Sequence, residues 1–183
     1  MRIVAGKHKG VRLEAPDGSA TRPTSDRARE NLFNILAHGD YAEKLRGGRI
    51  LELFAGTGAL GLEALSRGAA HCTFVENAKP ALAALHANIA KCRAEDRSHV
   101  DTVDAFRLGR QARPYDIVLL DPPYKEGAIE QGLISALNAG AIGPETLVVA
   151  QLDPKTPWEK PNGFAMLDER RYGAARFLFL SRE

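Results

Sequence analysis

Short apolar runs alternate with amphipathic segments along the chain from residue 49 onward. The runs ILELF and IVLL are almost continuously apolar, as parallel strands are when helices cover both faces of their sheet. Between such runs lie segments like KPALAALHANIAKC, whose apolar residues recur with helical spacing. The alternation predicts repeated strand–helix units and therefore an α/β fold with a mainly parallel sheet.

The two ends of the chain follow other patterns. The tail segments FAMLDERRYG and AARFLFLSR predict two antiparallel strands at the sheet edge, joined by a turn at Tyr172–Gly173. At the start, RIVAGKHKGVRLEAP predicts a short hairpin with glycines on both sides of a basic turn. TRPTSDRARENLFNIL then predicts a helix that begins near Thr24 or Ser25. Its buried side is expected to contain Leu32, Phe33, Ile35 and Leu36.

Length and composition fit one domain with a small extension. The chain has 183 residues, of which 44% are hydrophobic and 26% are charged, enough for a single sizeable core. We expect an N-terminal hairpin and helix extension over residues 1–40 and a main domain over residues 41–183.

Charge is distributed unevenly between these parts. Residues 1–29 contain seven Lys/Arg against three Asp/Glu, a local charge of +4, which leaves −2 for the remainder. A basic arm on a mildly acidic body is typical of proteins that bind a polyanion with one part and act on it with another. A solvated basic tail is the alternative. For Arg27 and Arg29, local ion pairs with Asp26 and Glu30 explain the sequence equally well. The candidate residues for binding such a polyanion are Lys7, His8, Lys9, Arg12, Arg22, Arg27 and Arg29.

Several classes of protein are disfavoured. No apolar run has the length of a signal peptide or approaches the ~18 residues of a membrane span, so we expect a cytosolic protein. Cys72 and Cys92 lie far apart without a CxxC partner, and the five histidines lack zinc-ligand spacing. We therefore expect neither a disulfide framework nor a metal site.

A glycine motif marks a candidate cofactor site. ELFAGTGALG, residues 52–61, places GxGxxG where the first parallel strand should turn into its helix. The next strand ends in Glu76, 20 residues after Gly56, where a carboxylate can accept both ribose hydroxyls of an adenosine. The motif suits NAD, FAD or S-adenosylmethionine, and a tight turn with a helix-capping glutamate is the alternative. We expect the third strand to end at Asp104, beside Phe106, with Asp104 accepting from an adenine amino group. The predicted cofactor-binding residues are Glu52, Gly56, Thr57, Gly58, Glu76, Asn77, Asp104, Ala105 and Phe106.

The segment Asp121-Pro122-Pro123-Tyr124 carries the candidate catalytic chemistry. It follows the apolar strand YDIVLL directly and should therefore lie beside the cofactor site. An amino group conjugated with a base ring is a weak nucleophile that acceptors must orient and stabilise. Asp121 offers a carboxylate and Pro122 a rigidly held carbonyl, because the prolines fix the backbone and remove competing donors. Tyr124 offers a face on which an extruded base can stack.

Taken together and in this order, these segments resemble the RsmD-type family of small-subunit (16S) ribosomal RNA guanine-N2 methyltransferases. The resemblance rests on RIVAGKHKGVRL, RPTSDRARENLFNIL, ELFAGTGALGLEALSRGA, FVEN, DAF and LLDPPY, and covers nearly the whole chain. LLDPPY is shared with many amino-methyltransferases, whereas the N-terminal segment combined with the glycine motif is more particular to this family. Residues that match the family's cofactor and catalytic motifs are Gly56, Gly58, Glu76, Asp104, Asp121, Pro122, Pro123 and Tyr124.

The resemblance implies a class I S-adenosylmethionine-dependent methyltransferase fold, which is Rossmann-like with a seven-stranded, mainly parallel sheet. It implies S-adenosylmethionine as cofactor and methylation of a guanine N2 amino group in 16S rRNA, free or within the assembled or assembling small ribosomal subunit. We expect a monomer. The runner-up is a DNA adenine-N6 or cytosine-N4 amino-methyltransferase, which the small size and the compact basic arm oppose. A nicotinamide-dependent dehydrogenase leaves the DPPY segment without a role, and a non-catalytic RNA-binding protein leaves intact motifs unused.

Overall fold

The computed structural model describes residues 1–16, 25–123 and 126–183. In chain order, the helices are α1 (Asp26–Leu36), α2 (Ala42–Leu45), α3 (Ala59–Ser66), α4 (Lys79–Lys91) and α5 (Ala128–Asn138). The strands are β1 (Arg49–Leu53), β2 (His71–Val75), β3 (Ser98–Asp101), β4 (Ile117–Leu120), β5 (Leu147–Leu152), β6 (Phe164–Tyr172) and β7 (Ala175–Arg182). Short 3-10 helices cover Gly39–Tyr41, Glu95–Arg97 and Ala105–Arg107.

The seven strands form one sheet in the order β3-β2-β1-β4-β5-β7-β6. Strands β1 to β5 are parallel, and β7 pairs antiparallel with both β5 and β6. The predicted mainly parallel sheet and the C-terminal antiparallel hairpin are both confirmed. The chain runs outward from β1 to β3 and then returns to place β4 on the other side of β1. This reversal of strand order is the position at which open α/β sheets bind ligands.

Apolar side chains cover both faces of the sheet. In β4, Ile117 and Leu119 belong to a core cluster shared with α1, α3 and α4, whereas Val118 and Leu120 belong to the cluster under α5. All four are at most 1% exposed, and burial of each contributes about 1.5–3 kcal/mol. Two covered faces explain why this strand lacks the polar alternation of a half-exposed sheet.

The N-terminal segment packs against the same core. The predicted hairpin exists as an antiparallel bridge between Arg2 and Arg12, and Ile3 is fully buried. Helix α1 begins as predicted, since the Ser25 hydroxyl accepts from the Ala28 amide and caps the first turn. Three of the four residues expected on its inner side are buried in the cluster with α3, and Ile35 packs against it. The extension and the main domain thus share one hydrophobic core.

Two details differ from the predictions. The third strand ends at Asp101, three residues before Asp104, because Asp101 pairs with Val75 at the end of β2 and β3 has no second neighbour. Helix α2 and the 3-10 turns are too short to give a periodic sequence signal. No helix in the described ranges has the length and apolar character needed to cross a membrane.

Candidate active site

Three predicted site elements meet at the carboxyl edge of the sheet because of strand register. Leu53 pairs with Val75 on one side and with Leu120 on the other, so these three strand ends are level. The next residue of β2 is Glu76, and the next residue of β4 is Asp121. Since neighbouring strands lie about 4.8 Å apart, the two acidic residues flank β1 at a separation of roughly 10 Å.

The glycine loop turns above the end of β1. Gly56 and Gly58 both have positive φ values, of 55° and 76°, and Gly58 forms the N-cap of α3. A Cβ on Gly58 would lie 2.4 Å from Leu85 Cδ1, so only glycine fits there without repacking. Around Gly56 the nearest atom to such a Cβ is the Phe54 carbonyl oxygen at 4.0 Å. The open space at Gly56 lets a ligand approach the backbone closely.

The Glu76 carboxylate holds the loop from the β2 side. One oxygen accepts from the Gly56 amide at 2.8 Å, and the other accepts from the Asn77 and Ala78 amides at 2.9 and 2.8 Å. Glu76 therefore fits both the helix-capping and the ribose-binding interpretation. It orders the backbone before α4, and it remains half-buried at the loop. A carboxylate has about four acceptor positions, so these three contacts leave about one, on the oxygen bound by Gly56, for a ribose hydroxyl.

Glu52 supports the loop from below and does not line it. Its side chain belongs to a residue only 2% exposed, and it accepts from the Gly61 and Leu60 amides at 2.9 and 3.3 Å. The prediction of direct cofactor contact by this side chain is therefore corrected to a contact with the first turn of α3. Burial raises the pKa of Glu52 to about 8, and the nearby charges of Asp121 and Glu76 push it in the same direction.

The segment after β3 brings Phe106 to the same edge, where its ring meets that of Phe54. Asp104 caps the 3-10 helix by accepting from the Phe106 amide at 2.9 Å, and Ala105 is buried in the core. The Phe106 ring packs against Phe54 with centroids 5.1 Å apart and planes tilted by 58°. Phe54 has a positive φ of 59°, which is rare for a bulky residue and stores strain at the end of β1. The positive φ of Phe54 and its ring contact with Phe106 were not predicted, although Phe54 lies inside the glycine motif.

A cavity of about 650 Å³ adjoins the Asp121-Pro122-Pro123 segment on the side away from β1 and the glycine loop. Its size lies within the range of about 300–1,000 Å³ that small-ligand pockets occupy. Asp121 and Pro122 are half-buried and Pro123 is exposed, whereas Tyr124 lies outside the described residues. The residues that line the cavity include Pro122, Pro123, Ile129, Gln151, Lys155 and Trp158. Trp158 was not predicted, because only the fold brings the segment after β5 to this place.

Most basic residues of the arm are available to solvent. Lys7, Lys9, Arg12 and Arg27 are exposed, and none forms an ion pair with another described residue. The amide of Lys7 donates to the carbonyl of Ser66, the last residue of α3. This contact places the basic turn about 12 Å along α3 from the glycine loop. Arg22 lies outside the described residues.

Two predicted RNA contacts are contradicted by burial. Arg29 is fully buried, and its guanidinium forms ion pairs with Asp26 at 2.9 Å and with Glu63 at 3.7 Å. The local ion-pair interpretation of this residue is thus the correct one, extended by a carboxylate from α3. His8 is 9% exposed, and its ring lies 3.4 Å from an Arg97 nitrogen. Burial, followed by the charges of Arg97 and Lys7, lowers the pKa of His8 and favours its neutral form.

The cysteines have the predicted structural character. Cys72 and Cys92 are free and buried, and burial raises the pKa of both thiols. Neither thiol therefore offers the thiolate that methylation of a ring carbon requires. Over the three described ranges, no cluster of three or more His, Cys, Asp or Glu residues is arranged to hold a metal ion.

Comparison with known proteins connects this geometry to a family. The family model described as conserved hypothetical protein 95 matches residues 1–181. The chain belongs to this family. Ribosomal RNA small subunit methyltransferase D of Escherichia coli K12 is 32% identical over 184 residues, covering 100% of this chain and 90% of that protein. The same-named protein of Haemophilus influenzae is 30% identical, covering 97% and 91%. The resemblance predicted from sequence is confirmed by these full-length relatives.

Solved structures give the same result for the fold of this family member. The Escherichia coli protein yhhF superposes with a TM-score of 0.84 at 33% identity, covering 100% of this chain and 98% of that one. The mitomycin 7-O-methyltransferase MmcR, at 15% identity and a TM-score of 0.63 over 86% of this chain and 58% of that one, shares the fold alone. The predicted class I methyltransferase fold is confirmed, and the protein is an enzyme whose methyl donor is S-adenosylmethionine.

The residues at the sheet edge fit this cofactor. The loop leaves open space at Gly56 for close approach, and the N-terminus of α3 adjoins it. Glu76, directly after β2, has acceptor capacity left on the oxygen bound by Gly56 for a ribose hydroxyl, and Asp104 lies beyond β3. The Phe54–Phe106 pair adds an apolar surface of the kind against which an adenine ring packs. The individual cofactor contacts of these residues stay predictions.

Proposed function

We propose that this enzyme methylates the exocyclic N2 amino group of a specific guanine in 16S rRNA of the small ribosomal subunit. The names of the full-length relatives support methylation of small-subunit rRNA. In this enzyme, residues 1–40 bind RNA and residues 41–183 carry out catalysis. Its partner is 16S rRNA or the small ribosomal subunit. The enzyme is cytoplasmic and acts as a monomer.

The position of Asp121 and Pro122 is the observation that carries the proposal. They follow β4 at the reversal of strand order, with the glycine loop and Glu76 on the β1–β2 side. On the other side lies the cavity of about 650 Å³, which extends toward the end of β5. A base in this cavity has its amino group directed toward Asp121, and the methyl donor is held across β1. The two substrates thus approach the same acceptors from opposite sides.

The chain's own residues do the work of orientation. When bound, S-adenosylmethionine supplies an electrophilic methyl group. The Asp121 carboxylate accepts one amino N–H of the target, and the Pro122 carbonyl accepts the other, which orients the amino nitrogen toward the methyl donor. Both acceptors stabilise the positive charge that develops on nitrogen. Asp121 is also a candidate to receive the amino proton, and solvent is the alternative acceptor.

The distance between the basic turn and the site favours a folded RNA as substrate over a free nucleotide. The basic turn with Lys7 and Lys9 lies at the far end of α3, so contact with it requires a substrate that extends well beyond one nucleotide. A folded RNA presents phosphates at such fixed distances, and proteins recognise it largely through its shape. The candidate RNA contacts are Lys7, Lys9, Arg12, Arg22 and Arg27, together with Tyr124 for stacking on the base.

The test is transfer of tritium from labelled S-adenosylmethionine to purified small ribosomal subunits that lack the modification. Nuclease digestion and nucleoside separation then identify the labelled product, with free 16S rRNA and duplex DNA as parallel substrates. Labelled N2-methylguanosine from subunits or rRNA supports the proposal. Label in DNA as N6-methyladenine or N4-methylcytosine, without label in RNA, overturns it in favour of a DNA amino-methyltransferase.

A further inference from the structure

A buried asparagine joins the N-terminal arm to the cofactor loop. Asn88 on α4 is fully buried and uses both ends of its side-chain amide. Its oxygen accepts from the Glu14 amide at 2.7 Å, and its nitrogen donates to the Glu14 carbonyl at 3.0 Å and to the Thr57 carbonyl at 3.0 Å. One side chain therefore contacts both the end of the arm and the middle of the glycine loop.

The contact with Thr57 fixes one peptide unit of the loop. The Thr57 carbonyl is held by Asn88, and the amide of the same peptide unit, that of Gly58, donates to the Ala55 carbonyl at 2.7 Å. Because a peptide unit is planar and its carbonyl and amide point in opposite directions, two such bonds define the orientation of the whole unit. Glycines flank Thr57 on both sides, so without these bonds the loop has access to many other conformations.

The contact with Glu14 fixes the backbone at the end of the N-terminal hairpin. Paired bonds to the amide and carbonyl of one residue imitate the bonds between two strands. Beyond Glu14 the chain continues to the segment that contains Arg22 and then to α1. An exposed ion pair between Lys91 and Glu14, at 2.7 Å, adds a second link to α4 but does not reach the loop.

We propose that Asn88 is a positioning residue that holds the cofactor loop and the RNA-binding arm in their active conformations at the same time. Loss of its amide weakens binding of the cofactor through Thr57 and binding of RNA through Glu14. The catalytic acceptors at the end of β4 are not among its contacts, so kcat at saturating concentrations of both substrates changes little. The RNA part of this inference rests on the proposed function, whereas the cofactor part does not.

The experiment compares Asn88→Ala with two matched variants of α4. Ile89→Ala removes a buried neighbour that packs in the core, and Lys91→Ala removes only the exposed link to Glu14. Calorimetry gives Kd for S-adenosylmethionine, filter binding gives Kd for RNA, and urea unfolding gives stability. For Asn88→Ala, loss of the one buried hydrogen bond to Thr57 predicts an increase of about five- to tenfold in the Kd for S-adenosylmethionine. Loss of the two bonds to Glu14 predicts an increase at least as large in the Kd for RNA. We expect Ile89→Ala to lower stability at least as much while both Kd values stay within about twofold of wild type. Lys91→Ala should keep the wild-type cofactor Kd, because surface ion pairs contribute little.

Two results overturn the inference. One is a folded Asn88→Ala protein with a wild-type cofactor Kd, and the other is an equal loss of affinity in Ile89→Ala, which makes the effect one of general stability. If Asn88→Ala does not fold, Asn88→Asp decides, since its carboxylate still accepts from the Glu14 amide but opposes the Glu14 and Thr57 carbonyls. That variant should raise the cofactor Kd and the KM for the cofactor, and unchanged values overturn the proposal. Cofactor binding by the wild type without methyl transfer to RNA contradicts the proposed function and leaves the Thr57 contact testable.

Discussion

Replacement of Glu52 by glutamine should remove a large part of the pH dependence of folding stability. Glu52 lies beneath the glycine loop, 2% exposed, and burial raises its pKa from 4.5 to about 8. Its carboxyl group is therefore mostly protonated in the folded enzyme at pH 7, whereas it is ionised in the unfolded chain. Because the folded state binds the additional proton, stability is greatest below pH 4.5 for this group and decreases as the pH rises through 8.

The size of the effect follows from the pKa difference. One pKa unit corresponds to 1.36 kcal/mol, so the rise from 4.5 to about 8 amounts to about 5 kcal/mol in full. Between pH 5 and pH 7.5 alone, the loss is on the order of 3 kcal/mol. Glutamine is uncharged at every pH, but its amide can accept from only one of the Gly61 and Leu60 amides through its oxygen. At pH 5 the variant should thus be less stable than wild type by about 1–2 kcal/mol.

Urea unfolding of both proteins at pH 5, 7 and 9 measures this difference. The stability of wild type minus that of Glu52→Gln should fall by several kcal/mol from pH 5 to pH 9, so that the two curves approach or cross. Titrating groups that do not interact with Glu52 cancel in the subtraction, such as His8 and His71, whose lowered pKa values act in the opposite direction. Parallel curves for the two proteins would refute the reasoning, because they would show that Glu52 has the same charge folded and unfolded.

Three further predictions concern the site and the arm. Asp121→Asn should lower kcat by about 100-fold or more while the Kd for S-adenosylmethionine changes less than threefold, and equal losses of both would contradict its proposed contact with the target amino group. Gly58→Ala should destabilise the fold by about 1–3 kcal/mol in urea unfolding and weaken cofactor binding, because the added Cβ meets Leu85 at 2.4 Å. Neutralising Lys7, Lys9 and Arg12 together should reduce the slope of log Kd for RNA against log salt by about 2, with cofactor binding unchanged. A slope equal to that of wild type would show that these residues do not contact phosphate.

The architecture could be predicted from sequence because a strand that is apolar at every position fits few arrangements. Strands such as β4, apolar at every position, require covered faces, and the alternation with helices then requires a parallel sheet. The end of β3 could not be predicted in this way. Its pairing with β2 sets it, since Asp101 pairs with Val75 and the Asp101 carbonyl accepts from the Glu76 amide at 3.2 Å. Strand ends at an edge depend on the neighbouring strand as well as on local sequence.

The site residues divide according to whether local pattern or tertiary contact places them. Burial of Arg29 could have been predicted, because it precedes Leu32 and Phe33 by three and four residues and so shares their face of α1. Burial of Glu52 follows from the same kind of count, since strand alternation puts it on the face of Ile50. No local signal identifies Asn88, whose partners lie 31 and 74 residues away.

Ion pairs within the protein reduce the number of positive charges that the arm can offer to RNA. Of the seven Lys/Arg residues before residue 30, Arg29 is neutralised inside the protein and Arg2 lies 3.5 Å from Asp26. The four exposed residues without an ion pair to a described residue are Lys7, Lys9, Arg12 and Arg27. Four phosphate contacts on single-stranded RNA correspond to a salt slope of about 3, so the arm supplies a moderate share of affinity. Its basic turn is anchored to the last residue of α3, about 12 Å from the glycine loop. The arm therefore acts at a fixed distance from the reacting edge and favours a substrate whose phosphates are already arranged by folding.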